Sequence, residues 1–334
     1  MRLAALVESV DHVCTRYRLR AFERHLRSAG HELELHPFPE DWWRRLTLAN
    51  RVRDADAVIL QRKLLSRPEI AILRRRARRL CFDLDDAVWM RDSYSARGFA
   101  SRKRIVRFRT IAQAADAIVA GNDYLAENAR EAGTRLAFVI PTCVDAKSYP
   151  VARHVEPGVE LVWVGSSSTL RGLEAVTPTL EAIGRKVPGT RLKLVCDRFL
   201  RLNQLPVVQA PWSEASERDQ IAAGDIGISW VPDDPWSRGK CGLKVLQYMA
   251  AALPVVTNPV GVHTEMVRHG ETGFLVTTED EWVDAIQTLA RDPDLRRRMG
   301  ALGRQLVSER YSVEVGAAKW VNQISALSTG RVTA

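Results

Sequence analysis

Three segments hold residues whose types and spacing suit phosphate binding or proton transfer. In GSSSTLRG (165–172) an apolar run ends at Gly165, three serines follow, and a helix is expected near Arg171. Small residues let the backbone approach a ligand closely, free N–H groups at a helix start attract phosphate, and a guanidinium can add a bidentate contact. Gly165, Ser166, Ser167 and Arg171 are therefore candidates for holding a diphosphate. The plainer reading is a serine-rich helix cap with a surface arginine. No Gly-Lys-Ser/Thr follows, and the chain contains no G-x-G-x-x-G, so neither a P-loop nor a dinucleotide site has support.

The second segment is PDDPWSRGKCGLKVLQYMAAALPVV (232–256). A loop containing Pro and Gly leads from a strand into a helix expected over 242–252. Lys240 and the N–H groups around Cys241 and Gly242 would face a diphosphate there, and Lys244 follows one turn later. Leu243, Leu246 and Ala250 recur at helical spacing and mark a core face. An ordinary βαβ unit would look similar. The third segment, CFDLDDAVW (81–89), places three carboxylates at the end of an apolar strand. Burying such charge costs several kcal/mol unless it is paired or functional, and ligands of parallel sheets bind at strand ends. Asp85 and Asp86 are the candidate catalytic groups. Two alternatives stay open: the acids neutralise nearby arginines, or Asp83 and Asp85 form a D-x-D metal motif.

Strands alternating with helices must position these groups. LAALVE (3–8), ELELHPF (32–38), DAVILQ (56–61), RLCFDLD (79–85), DAIVAG (116–121) and LAFVIP (136–141) read as strands, with a helix over TRYRLRAFERHLRSAG (15–30). The proline-containing stretch 141–158 reads as a linker. The alternation then restarts with strands at 159–165, 191–197, 206–210, 225–231 and 254–258, and helices over 171–186, 214–223, 279–291, 294–309 and about 313–327. Such alternation implies parallel sheets covered on both faces.

The 334 residues suffice for about two domains. No apolar run approaches the roughly 18 residues that span a bilayer, and the opening residues read as a strand rather than a signal peptide. Five scattered cysteines without C-x-x-C favour a reducing cytoplasm over a disulfide or zinc framework. The net charge of +9 is lopsided: residues 1–150 hold 28 Lys and Arg against 19 Asp and Glu, and the remainder holds 21 of each. RRRARR (74–79) and SRKRIVRFR (101–109) suit an anionic membrane face or nucleic acid, or they are solvated helix faces. No RNP-like aromatic pattern or recognition-helix motif appears, so nucleic acid is not expected.

The stretch GKCGLKVLQYMAAALPVVTNPVGVHTEMVRHGETGFLV (239–276) resembles the donor-site signature of glycosyltransferase family 4. That signature reads E-G-F-G-L…E-A-M-A-x-G-x-P-V-V, a Gly-containing loop, then G-x-x-G-x-L-V. VIPTCVDAKSYP (139–150) is similar to the family's inter-domain segment, and RYSVEVGAAKWVNQI (310–324) to its closing helix. The family's two glutamates, one at the donor sugar and one at the ribose, correspond to Gly239 and Gln247. Gln247 can still bond ribose hydroxyls. The diphosphate-binding Lys before a Gly corresponds to Arg171, and a catalytic-side His to Asp85 or Asp86. Arg16 and Tyr17 stand where the family has a glycine pair, on the acceptor or phosphate side.

The resemblance implies an α/β, GT-B fold: two Rossmann-like domains, 1–148 and 149–310, with parallel sheets facing a central cleft and a helix at 311–330 crossing back to the first. It implies a retaining transferase taking a sugar from a nucleotide diphosphate-sugar, with no further cofactor and no metal, to an unidentified acceptor in polysaccharide or envelope glycan synthesis. The donor-side set is Gly165, Ser166, Ser167, Arg171, Lys240, Cys241, Gly242, Lys244 and Gln247. A cytoplasmic protein, weakly peripheral on an anionic membrane through its first domain, is expected. The alternatives are a sugar-nucleotide-binding protein without turnover and a basic membrane-surface or nucleic-acid-binding protein.

Overall fold

The computed structural model describes residues 1–39, 41, 44, 48, 50–154 and 158–329. Residues 155–157 of the expected linker and residue 330 of the expected closing helix lie outside the described residues. The chain forms two compact units: Met1–Cys143 with Asp234–Cys241 and Val313–Ala334, and Val144–Asp233 with Gly242–Ser312. The short segment 234–241 thus clusters with the first unit, although it lies between two stretches of the second.

The first unit holds a six-stranded sheet: β1 (Arg2–Val7), β2 (Glu32–Pro37), β3 (Ala57–Gln61), β4 (Leu80–Leu84), β5 (Ala117–Ala120) and β6 (Ala137–Val139). Their order is β2-β1-β3-β4-β5-β6, and every pairing is parallel. Because successive side chains point to opposite faces, β1 feeds two cores. Ala4 and Leu6 join Val58, Leu60 and Phe82 beneath helices Arg67–Arg76, Arg102–Ala114 and Asp123–Glu131. Leu3, Ala5 and Val7 join Phe22, Ile59 and the closing helix Val313–Thr329, through Trp320 and Ile324. Both faces are covered, which is why these strands read as continuous apolar runs.

The second unit holds β7 (Val159–Val164), β8 (Thr190–Cys196), β9 (Val207–Pro211), β10 (Ile226–Ser229), β11 (Val255–Thr257) and β12 (Gly273–Leu275). The order is β12-β11-β10-β7-β8-β9, again all parallel. This is the doubly wound order in which chain direction across the sheet reverses between the first and fourth strands, here β7 and β10. The crevice beyond the carboxyl ends of those two strands is the expected ligand position.

Four expectations from sequence need correction. The helix read over 15–30 is three pieces, Val13–Arg18, a 3-10 turn at Arg20–Phe22, and Glu23–Ser28. The helix read over 171–186 begins at Ser167 and breaks at Val176 into Ser167–Ala175 and Thr177–Lys186, with Pro178 at the second start. A proline N–H is not needed in a first turn, so a new helix can begin there. Helix Leu243–Ala250 buries Val245 and every residue from Leu246 to Ala250, not one stripe. It packs against β10, the helix Glu217–Ala222 and the helix Pro293–Arg310. Strand β12 was not foreseen: three residues are too few to show a period.

Candidate active site

In the first unit, charge gathers at the carboxyl ends of β3 and β4. Asp83, the fourth residue of β4, is fully buried and pairs with the equally buried Arg18 at 2.5 Å. Arg18 also donates to the Ile140 carbonyl at 2.5 Å. Gln61, the register neighbour of Asp83, donates to it at 3.2 Å and accepts from Thr15 at 3.0 Å. Burial pushes the Asp83 carboxyl up, and Arg18 only partly offsets this. Asp83 is therefore an internal strut with both oxygens engaged.

One step further out, Arg62 reaches two carboxylates. Its Nη2 lies 2.7 Å from Asp86 Oδ2. Its Nη1 lies 3.0 Å from Asp85 Oδ1, an ion-pair distance off the axis of a directed hydrogen bond, and also contacts the Cys14 thiol. Arg62 has φ +56°. Non-glycine residues held in this left-handed region cost on the order of 1–3 kcal/mol and cluster at functional sites. Burial alone would raise the Asp85 carboxyl, but the Arg62 and Arg18 guanidiniums outweigh it and hold the group below its ordinary value. Burial likewise opposes the Arg62 charge, and Asp85 and Asp86 more than reverse that. Asp85 is thus held as a carboxylate in a nearly dry setting.

The segment 234–241 completes this cluster. Asn122 caps helix Asp123–Glu131 by accepting from the Leu125 N–H, and its amide donates to the Lys240 carbonyl at 3.0 Å. The Cys241 thiol donates to the Asp85 carbonyl at 3.2 Å. Lys240 Nζ lies 3.0 Å from Asp86 Oδ1 and 4.9 Å from the centre of the Trp236 ring. Lys240, expected to face a diphosphate at the following helix start, has its Nζ on Asp86 and its carbonyl held by Asn122. Gly239 rests on Ala87: a Cβ there would sit 2.9 Å from the Ala87 Cβ and 3.0 Å from its nitrogen. This site, where the resembling family carries glutamate, has no room for a side chain.

Arg16 and Tyr17 lie on helix Val13–Arg18, both buried, with the Arg16 guanidinium 5.3 Å from the Tyr17 ring centre. Their side chains are covered, which does not suit direct capture of an acceptor.

In the second unit the candidates lie around the reversal point of the sheet. The β7–β10 pairing stops at Leu161↔Ile226 and Val162↔Gly227. Beyond it the Val164 N–H finds the buried Tyr248 hydroxyl at 2.9 Å. Gly165 lies against the Trp163 indole and Thr169, so that a Cβ would fall 2.5 Å from Trp163 Cη2. On the same Trp163 ring, Lys244 Nζ stands 4.1 Å from the centre. Lys244 is in the first turn of helix Leu243–Ala250, whose leading N–H groups have no intrahelical acceptor. The helix starts from Gly242 at φ +63°. A side chain there would be strained and would meet the Met266 sulfur at 2.5 Å. Gly165 and the Lys244 ammonium therefore converge beside one indole, at the crevice where a phosphorylated ligand is expected.

Three donor-side expectations fit less well. Ser167 donates its N–H to Asp197 Oδ1 at 2.6 Å, and the Ser167 side chain, ahead of the burial that opposes it and then of this N–H, holds Asp197 below its ordinary value. The Ser166–Ser167 helix start thus already carries an anion of its own, and a phosphate would meet like charge. Arg171 is exposed in the second turn of that helix and not at its mouth. Gln247 is buried within its helix.

Sequence reading missed His263. It is buried, with Nδ1 2.9 Å from Thr257 Oγ1 and 3.1 Å from the Asn258 carbonyl. Burial lowers it to about 4, assisted by the Lys244 charge. Only the fold brings it near Lys244, so no local signal could have found it.

Residues 235–306 match the family described as Glycosyl transferases group 1. The N-acetyl-alpha-D-glucosaminyl L-malate synthase of Bacillus anthracis is 36% identical over 75 residues, 22% of this chain and 20% of that protein. The GDP-mannose-dependent alpha-(1-6)-phosphatidylinositol monomannoside mannosyltransferase of Mycobacterium tuberculosis is 35% identical over 80 residues, 23% and 21% of the two chains. The match thus spans about a fifth of the length of these curated relatives. Among solved structures, sucrose-phosphate synthase from Thermosynechococcus elongatus aligns with a TM-score of 0.75 at 17% identity, over 99% of this chain and all of its own. Anabaena HepE in complex with UDP and glucose aligns at 0.69 and 17%, over 98% of this chain and all of its own. The whole chain has the GT-B fold of glycosyltransferases, and residues 235–306 are similar to glycosyl transferases group 1.

Proposed function

We propose that this protein is a retaining glycosyltransferase that moves a sugar from a nucleotide diphosphate-sugar to an acceptor, in the synthesis of a polysaccharide or cell-envelope glycan. The observation that carries the reading is the meeting of Gly165 and Lys244 over the Trp163 indole at the reversal point of the second sheet, inside the stretch of fold shared with the UDP-bound HepE structure. Lys244 and the first-turn N–H groups of its helix supply positive potential for the charge that grows on a departing diphosphate. Gly165 lets the backbone approach the donor closely. The Asp86 carboxylate, held between Arg62 and Lys240, orients the acceptor hydroxyl or takes its proton as the new bond forms. Lys240 and Arg62 hold that carboxylate in place from two sides. We propose further that the reaction needs no metal, since Asp83 is committed to Arg18 and does not present a D-x-D pair.

A location at an anionic membrane face accompanies this reading, supported by the basic first 150 residues and by the lipid named in the mycobacterial relative's acceptor.

Release of nucleoside diphosphate from a panel of UDP-, GDP-, ADP- and TDP-sugars tests the function. Turnover should survive EDTA, and Asp86→Asn should lower it by about 10²–10⁴-fold with donor affinity unchanged. Loss of activity in EDTA with recovery in manganese would refute metal independence. An Asp86→Asn enzyme of full activity would refute the role of Asp86. One observation favours a second reading, a nucleotide-sugar-binding protein without turnover: Gly239 leaves no space for the carboxylate of the resembling family. Donor binding with no turnover on any acceptor would select it.

A further inference from the structure

We propose that the outer face of helices Arg67–Arg76 and Arg102–Ala114 docks the protein on an anionic lipid bilayer. This rests on the membrane location given above and supplies its surface. The two helices pack side by side over one face of the first sheet. Their inner sides carry Ile70, Leu73, Phe108, Ile111 and Ala112. Their outer sides carry Arg67, Arg75, Arg76, Arg102, Lys103 and Arg109, all exposed. Among the described residues none of these six pairs with a carboxylate, whereas Arg74 and Arg78 do, with Asp116 and Asp56. The one acid of the two helices, Glu69, is turned inward onto Ser66 at 2.7 and 2.5 Å.

The arrangement works against the stability of the helix that carries it. Helix Arg102–Ala114 has three cations and no acid in its first turn, where the helix dipole already places partial positive charge. Like charges at such a position are destabilising; Arg104 is met by the Val88 carbonyl at 3.2 Å, but among the described residues no carboxylate pairs with Arg102 or Lys103. An external anionic surface supplies that counter-charge. The exposed Val106, set among these cations, adds an apolar contact suited to the headgroup boundary. A bilayer fits better than nucleic acid, because the outer sides present no aromatic ring on which a base could stack: the helices' single aromatic, Phe108, is buried. The neighbouring helix Asp123–Glu131 carries Asp123, Glu127 and Glu131 against Arg130. That acidic flank bounds the basic face and fixes which side turns to the lipid.

The test is flotation of the full chain with vesicles of phosphatidylcholine alone or phosphatidylcholine containing about a third phosphatidylglycerol. Wild-type protein should float only with the anionic vesicles and be released by high salt. The variant R102Q/K103Q/R109Q should bind them about a hundredfold more weakly, and R75Q/R76Q should lose a smaller factor. A charge-matched variant of the second unit, R185Q/R201Q/R291Q, should bind as wild type does. All eight substituted sites are exposed, and unchanged melting curves will confirm intact folds. The proposal is overturned if wild type ignores anionic vesicles or binds neutral ones equally. It is also overturned if R102Q/K103Q/R109Q binds as wild type, or if duplex or single-stranded nucleic acid displaces the lipid at lower concentration. Thermal shifts with nucleotide-sugars on the same proteins report the donor site separately, so failure there would leave the flotation result standing.

Discussion

The two units present charge at the carboxyl ends of their sheets in opposite ways. In the first, side chains do the work. Arg18, Asp83, Arg62, Asp85, Asp86 and Lys240 interlock, and a strained arginine backbone is held in place by the pairs it makes. In the second, the crevice is built from Gly165, an indole, an ammonium and the start of a helix, with the one nearby imidazole kept neutral. A network of opposed charges is self-sufficient and suits a group that must keep one protonation state and position. A site of backbone donors and one cation is incomplete by itself and suits an anion that comes and goes. On the proposed function, that difference gives positioning and proton handling to the first unit and diphosphate binding to the second.

The strongest way to break the comparison is to remove one side of the innermost pair. Arg18→Met strands the Asp83 carboxylate, which should cost about 3–5 kcal/mol of stability in urea unfolding. Replacing both partners, as Arg18→Met with Asp83→Leu, should recover most of it. If Arg18→Met unfolds like wild type, the pair is not a strut.

Acid should separate the units. The His263 imidazole titrates at about 4 in the fold, against 6.5 ordinarily. Between those values the unfolded chain binds the extra proton, so stability present above pH 6.5 is lost as the pH falls towards 4, by up to about 3 kcal/mol. Asp85 is also depressed, but from an ordinary 3.8, so its contribution is retained until still lower pH. Unfolding measured from pH 7 to 4.5 should therefore weaken, and His263→Gln should flatten that slope. An unchanged slope would show that His263 is not buried neutral.

A smaller effect is expected at Gly239. Gly239→Ala should cost about 1–3 kcal/mol through overpacking on Ala87, read as a lower melting temperature. Gly239→Glu should bring no gain in diphosphate release, although it restores a carboxylate in sequence. A more active Gly239→Glu protein would mean that the segment 234–241 sits elsewhere.

Much of the fold was legible because buried parallel strands are apolar throughout. Val58 to Leu60 and Leu161 to Val164 announce themselves without any partner in view. Helix starts were legible where Ser, Asp or Pro marks them, as at Pro293. The strand β12 and the break at Val176 were not, being set by pairing and packing across the unit. At the candidate site, Asp85, Asp86, Gly165, Gly242 and Lys244 were singled out from strand ends and glycines. Their partners were not: no spacing links Asp86 to Arg62 or Lys240, Trp163 to Lys244, or Asp197 to Ser167. Those pairs are products of topology, which brings β3 beside β4 and β7 beside β8.

On the proposed function, a nucleoside diphosphate is held by the second unit through Lys244 and its helix start. Calorimetric titration of wild type and Lys244→Ala with UDP and GDP tests it directly. One nucleotide should bind wild type, and Lys244→Ala should lose about 1.5–3 kcal/mol of affinity, the worth of a hydrogen bond to a charged group, while Asp86→Asn binds as wild type does. Wild-type affinity in Lys244→Ala, or no binding of either nucleotide to the native protein, would contradict the account.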